Sequence, residues 1–193
     1  LEVRAKAGDA LAGIAPEGLD RVFFVNSGAE ANENALRVAC RATGRSRVLA
    51  LEHGFHGRTA AAAAVTWGAA KSWYGFPRTP FDVAFIPRDD TARAEEMING
   101  ETAAVIIELV QGLAGAYDLE PGFVLTIAEA CRRAGALLIV DEVQSGVGRT
   151  GAPFAANLYG LKPDMLTTAK ALGGGFPCSA LLMTEALAHT LKS

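Results

Sequence analysis

Four short stretches hold the residue types that could do chemistry. An acid, Asp141, closes the apolar run ALLIVDE, where an ionised carboxylate is costly unless a cation or hydrogen-bond donors meet it. An amine, Lys170, sits in TTAKALGGGFP just ahead of Gly173 to Gly175. With a lowered pKa such an amine can capture an aldehyde as an imine; the ordinary alternative is a solvated lysine beside a flexible turn. In GFHGRT, Phe55 offers a face for a planar ring and Arg58 a guanidinium fork that matches a carboxylate, with His56 less decisive between them. A core phenylalanine and a surface arginine are the commoner fates of those two types. Finally, NSGAEANENALR places Ser27, Gly28 and Ala29 where a strand meets a helix, so an anion could approach the free N–H groups of the helix start. A tight strand-to-helix turn explains the same residues, and neither the Walker nor the dinucleotide glycine pattern is complete.

The elements that must position these residues are legible as an alternation. Short apolar runs predict strands at Arg21–Asn26, Ser46–Leu51, Asp82–Pro87, Ala103–Leu109 and Ala136–Glu142, with weaker ones at Asp164–Thr168 and Ser179–Met183. Several are apolar on both alternating faces, as strands covered on both sides must be. Between them, Ala29–Thr43, Thr59–Lys71, Thr91–Asn99 and Pro121–Ala134 have helical length and composition, with Gly44, Gly100 and Gly135 as expected stops. Ser27 or Asn26 is expected to cap the first of these helices, and Thr91 or Asp90 the third. The alanine run Ala60–Ala64 fits a closely packed helix. The pattern implies an α/β fold, with helices covering both faces of a mostly parallel central sheet, in one domain.

Composition narrows the class. A chain of 193 residues, half of them hydrophobic, can bury a true core. With 18 Lys+Arg against 21 Asp+Glu, the net charge of −3 supplies no general field for nucleic acid or an anionic membrane. The cysteines Cys40, Cys131 and Cys178 form no CxxC pair, and His53, His56 and His189 form no metal-ligand cluster; neither a disulfide scaffold nor a zinc module is expected. Charges interrupt the apolar residues of LEVRAKAGDALAGI, unlike a secretory leader, and no apolar run approaches the ~18 residues of a membrane span. Reduced thiols in a cytoplasmic setting are the expectation.

Taken together, Asp141 and Lys170 divide the work of holding pyridoxal phosphate (PLP): the acid supports a protonated ring nitrogen and the lysine holds the aldehyde as a Schiff base. NSGAEANENALR, GFHGRT, DEVQSGVGRTG and TTAKALGGGFP occur in an order that resembles the large domain of class III, fold-type I PLP-dependent aminotransferases, especially the acetylornithine and succinylornithine branch. The resemblance runs through nearly the whole chain. It implies a three-layer large domain, incomplete in residues 1–193, with an N-terminal segment and a C-terminal small domain absent. It assigns the Schiff base to Lys170, the ring-nitrogen contact to Asp141, and the phosphate to the loop of Ser27, Gly28 and Ala29. Phe55 would stack on one ring face and Val143 on the other, Gln144 would approach the ring hydroxyl, Glu108 would support the cofactor, and Arg58 would hold the substrate carboxylate.

The implied reaction is ping-pong amino transfer from an acetylornithine-like donor to 2-oxoglutarate, in amino-acid and arginine biosynthesis, by a homodimer. No nucleic-acid or membrane partner is implied. Alternatives are 4-aminobutyrate transamination, another class III transaminase or aminomutase, and a noncatalytic PLP-binding fragment. ELVQGLAG departs from the family pattern at Leu109 and at Leu113, where ornithine-type enzymes carry an acid that pairs with an arginine.

Overall fold

The computed structural model describes residues 2–191. Its sheet strands are β1 (Arg21–Val25), β2 (Arg47–Leu51), β3 (Asp82–Ile86), β4 (Thr102–Ile107), β7 (Leu137–Glu142), β8 (Met165–Thr168) and β9 (Ser179–Met183), while β5 (Val110–Gln111) and β6 (Tyr117–Asp118) make a separate small hairpin. The helices are α1 (Glu2–Ala12), α2 (Gly28–Thr43), α3 (Ala60–Ala64), α4 (Ala69–Ser72), α5 (Thr91–Met97), α6 (Pro121–Ala134), α7 (Ala155–Leu158) and α8 (Glu185–Ala188). The large sheet has the order β1-β9-β8-β7-β4-β2-β3, and β9 alone runs against the others.

All seven sequence-expected strands are in this sheet, and alternation along them sorts side chains into two cores. Val48 and Ala50, Ala104 and Ile106, and Ile139 pack with Ala35, Leu36 and Ala39 of α2. Leu49 and Leu51, Val105 and Ile107, and Leu138 and Val140 pack with Phe123, Val124 and Ile127 of α6. A period of two over a sheet covered on both faces yields this three-layer sandwich, and explains why the central strands are apolar throughout.

Helix ends follow local chemistry. Ser27 caps α2 in a reciprocal capping box with Glu30, and Gly44 ends it at φ 67 in the left-handed region that glycine enters without strain. Asp90 caps α5 through Arg93 N, and Gly135 closes α6 at φ 64. Two expectations are corrected. The helix expected over Thr59–Lys71 breaks into α3 and α4, because the Thr66 hydroxyl turns back to the Ala62 and Gly57 carbonyls while receiving His56 N, and Gly68 follows at φ 74. Helix α5 ends at Met97 with Ile98 extended, so Gly100 is not its stop.

Candidate active site

Strand direction places the chemistry. The parallel strands all finish at one edge of the sheet, and the loops leaving them carry every candidate residue except Asp141, which lies at the end of β7, as expected for ligand sites of open α/β sheets. β1 leads into Ser27–Ala29, β2 into Phe55–Arg58, β4 into Glu108, and β8 into Lys170; β7 ends on Asp141 and Glu142. A cleft of ≈ 480 Å³ opens there, within the range of about 300–1,000 Å³ that suits a small ligand. Gly28, Ala29, Phe55, Arg58, Glu108, Asp141, Val143, Gln144 and Lys170 all line it.

Ser27 is the one expected residue that does not line the cleft. Its hydroxyl donates to Glu30 Oε2 (3.0 Å) and accepts from Glu30 N (3.2 Å), and its own amide donates to the same carboxylate (2.7 Å). The cap thereby uses up Ser27 and leaves the next two amides, Gly28 N and Ala29 N, without a protein partner among the described residues, at the positive end of a 16-residue helix. Gly28 has no substitute here: a Cβ would lie 2.7 Å from both γ-methyls of Val143.

Pleat parity decides which face each acid takes. Leu137, Ile139 and Asp141 point to the α2 side, Leu138, Val140 and Glu142 to the α6 side. Glu142 consequently serves the scaffold, accepting from Ser145 Oγ (2.6 Å) and from Ala156 N at the start of α7 (2.7 Å). Asp141, 3% exposed, meets Asn32 on the buried stripe of α2: Asn32 Nδ2 donates to Oδ2 at 2.8 Å. His56 Nδ1 approaches the same oxygen at 2.8 Å, and Val143 N donates to Oδ1 at 3.0 Å. These donors answer the cost of burying the acid.

Glu108 has a different balance. Burial, aided by the charge of Asp141, pushes its carboxyl up to about 7, although Phe55 N donates to it at 2.8 Å and the nearby His56 works the other way. It therefore fastens the Phe55 loop to the end of β4 and can hold a proton near neutrality. Lys170 lies two residues beyond the end of β8, in the turn rather than in the strand. Its backbone N donates to Val143 O (3.2 Å), and its exposed ammonium donates to Gln144 Oε1 (2.5 Å). Arg58 is exposed with its guanidinium 5.6 Å from the centre of the Phe55 ring, and among the described residues it pairs with no carboxylate. Leu113, 69% exposed, stands at the same cleft.

Sequence reasoning missed Asn32 and left His56 undecided. Asn32 had a signal, a polar residue on the stripe of Ala31, Ala35, Leu36 and Ala39. His56 had none, since nothing in GFHGRT signals its tie to Asp141; among the described residues its buried Nε2 has no partner.

An amine, a donor-satisfied carboxylate and two free helix-terminal amides around one cleft on a three-layer α/β domain define an enzyme core built to hold an anionic cofactor carrying a carbonyl. The family model for aminotransferase class-III matches residues 2–193, and the chain belongs to that family. It is 45% identical over 173 residues to the acetylornithine aminotransferase of Methanothermobacter thermautotrophicus, covering 90% of this chain and 44% of that one. It is 46% identical over 177 residues to the acetylornithine aminotransferase of Archaeoglobus fulgidus, covering 91% and 46%. Among solved structures, the ornithine aminotransferase of Toxoplasma gondii, with PLP at partial occupancy in its active site, superposes with a TM-score of 0.86 at 32% identity, over 97% of this chain and 46% of that one. The chain thus spans less than half the length of these relatives.

Proposed function

We propose that this chain forms the PLP-bearing half of an aminotransferase that moves an amino group from an acetylornithine-like donor to 2-oxoglutarate in a ping-pong sequence. The observation that carries the reading is the convergence of Lys170, Asp141 and the free amides of Gly28 and Ala29 on one cleft. The donor set fits the group: two unpartnered N–H groups at a helix start suit a phosphate, a buried carboxylate suits a cationic ring nitrogen, and a lysine suits an aldehyde. When bound, PLP supplies an electron sink for charge developing at the substrate α-carbon.

The chain's own residues do the rest. Gly28 N and Ala29 N would anchor the phosphate, and the negative charge of Asp141 would favour a protonated ring nitrogen. Phe55 and Val143, both lining the cleft, would flank the ring, and Gln144 would face its hydroxyl. Lys170 would hold the aldehyde through its Nζ, and with an amino donor in the cleft the same Nζ would be placed to take the substrate α proton and return it. Gln144 Oε1, 2.5 Å from Nζ, steadies that amine. Glu108 positions Phe55 through its amide. Arg58, which pairs with no carboxylate among the described residues, is available to the substrate carboxylate.

The acetylornithine-like donor is supported by relatives of that name at 45% and 46% identity. Leu113 favours a second reading as well: an apolar side chain at the cleft cannot pair with an arginine as an acid would, which leaves room for another class III donor. A homodimer in the cytoplasm completes the proposal; exposed apolar side chains such as Trp73 and Phe76 support the dimer.

The test is to add PLP, reduce with borohydride and map the labelled peptide. A label on Lys170 is expected; folded protein without any adduct refutes the proposal. Lys170→Ala in the full-length protein should lose turnover on a donor and acceptor panel, and near-normal turnover would remove Lys170 from its role.

A further inference from the structure

Asp141 is satisfied asymmetrically. An ionised carboxylate offers about four lone-pair directions, two on each oxygen. Oδ2 meets two donors, Asn32 Nδ2 and His56 Nδ1, each at 2.8 Å, whereas among the described residues Oδ1 meets only Val143 N, at 3.0 Å. Oδ2 is filled, and the open direction belongs to Oδ1.

The orientation of Asn32 is fixed from both ends. Its Nδ2 also donates to the His56 carbonyl at 2.7 Å, and a carbonyl can only accept, so the NH₂ group must lie on that side. The Thr167 hydroxyl then donates to Asn32 Oδ1 at 2.7 Å. Thr167 is the register partner of Asp141 across the β7–β8 pair, so both side chains leave the sheet on the α2 face. Asp141, Asn32 and Thr167 are 3%, 1% and 0% exposed, so a bond lost among them is costly.

We infer that Asn32, oriented by Thr167, is a positioning residue for Asp141: it occupies Oδ2 and leaves Oδ1 as the acceptor for a cationic ring N–H. The inference rests on the PLP reading above. Removing the Thr167 hydroxyl leaves the Asn32 carbonyl oxygen buried without its donor and takes away one of the anchors of the amide, which loosens the hold of Asn32 on the carboxylate. The phosphate amides and Lys170 are untouched by that change.

The experiment compares, in the full-length protein, the affinity for PLP with that for 1-deazapyridoxal phosphate, in which C–H replaces the ring nitrogen. The variants are Thr167→Val, which keeps shape and removes the hydroxyl, Thr167→Ser, which restores it, and Asn32→Leu. Thr167→Val and Asn32→Leu should lower the preference for PLP over the deaza analogue about tenfold with little change in deaza binding, and Thr167→Ser should keep the wild-type preference. A merely structural role would weaken both ligands together and leave the preference intact, and that result in folded Thr167→Val overturns the inference even if Asn32→Leu fails to fold. A wild-type protein that gives no reducible Lys170 adduct overturns the PLP reading and this inference with it.

Discussion

Glu108→Gln should flatten the pH dependence of stability of the PLP-free protein. The carboxyl of Glu108 is 6% exposed at the end of β4 and is pushed up to about 7 from 4.5, mainly by burial and further by the charge of Asp141. Its folded pKa lies above its unfolded value, so between these two pH values the folded state binds the proton that the unfolded state has released. Stability contributed by the neutral carboxyl is therefore present below pH 4.5 and falls as pH rises toward 7. The gap of about 2.5 units corresponds to about 3 kcal/mol. Glutamine keeps an oxygen to accept from Phe55 N, now at 2.8 Å, and cannot ionise. Urea unfolding from pH 4.5 to 8 measures the difference in slope between wild type and variant. Glu142 and Asp164, both raised by burial, tilt wild type and variant alike and cancel in that difference. Parallel curves across the whole range would refute the reasoning, because they would mean that Glu108 ionises as readily in the fold as out of it.

Gly28→Ala should destabilise the protein by about 1–3 kcal/mol, since a Cβ there would press 2.7 Å from both Val143 γ-methyls; thermal unfolding reads the loss, and an unchanged midpoint would show that Val143 yields freely. The same variant should weaken PLP binding, because the strand-to-helix turn that presents Gly28 N and Ala29 N must move. Ser27→Ala should cost about 1 kcal/mol in chemical denaturation through loss of the α2 cap, with PLP affinity less affected than in Gly28→Ala. Lys170→Ala should abolish the borohydride-trapped label while leaving the unfolding midpoint of the PLP-free protein near wild type, given that the Lys170 side chain is exposed and holds only Gln144.

The strands were legible because burial on both faces demands uninterrupted apolar runs, and residues such as Val105 and Ile106 serve opposite cores from adjacent positions. Asp141 was legible for the complementary reason, a charge where the strand pattern calls for an apolar side chain. The helix break after α3 was not. Thr66 and Gly68 are each tolerable in a helix, and what decides the break is the demand of His56 N for the Thr66 hydroxyl, a tertiary contact that propensity does not contain. The hairpin of β5 and β6 escaped notice because two-residue strands carry no periodicity.

The difference between the residues found and those missed follows from how each is tied to the site. Lys170, Gly28 and Phe55 sit on loops at strand ends, where residue type and local context already suggest exposure to a ligand. Asn32, His56 and Thr167 reach Asp141 only after β7, β8 and α2 are assembled in the right order and register, across separations of 109, 85 and 135 residues for Asn32–Asp141, His56–Asp141 and Asn32–Thr167. A one-residue slip of β8 against β7 would turn Thr167 to the α6 face and leave Asn32 Oδ1 buried without a donor. The network thereby ties the readiness of Asp141 to the register of the central sheet: a substitution that shifts β8 against β7 must also disturb Asp141.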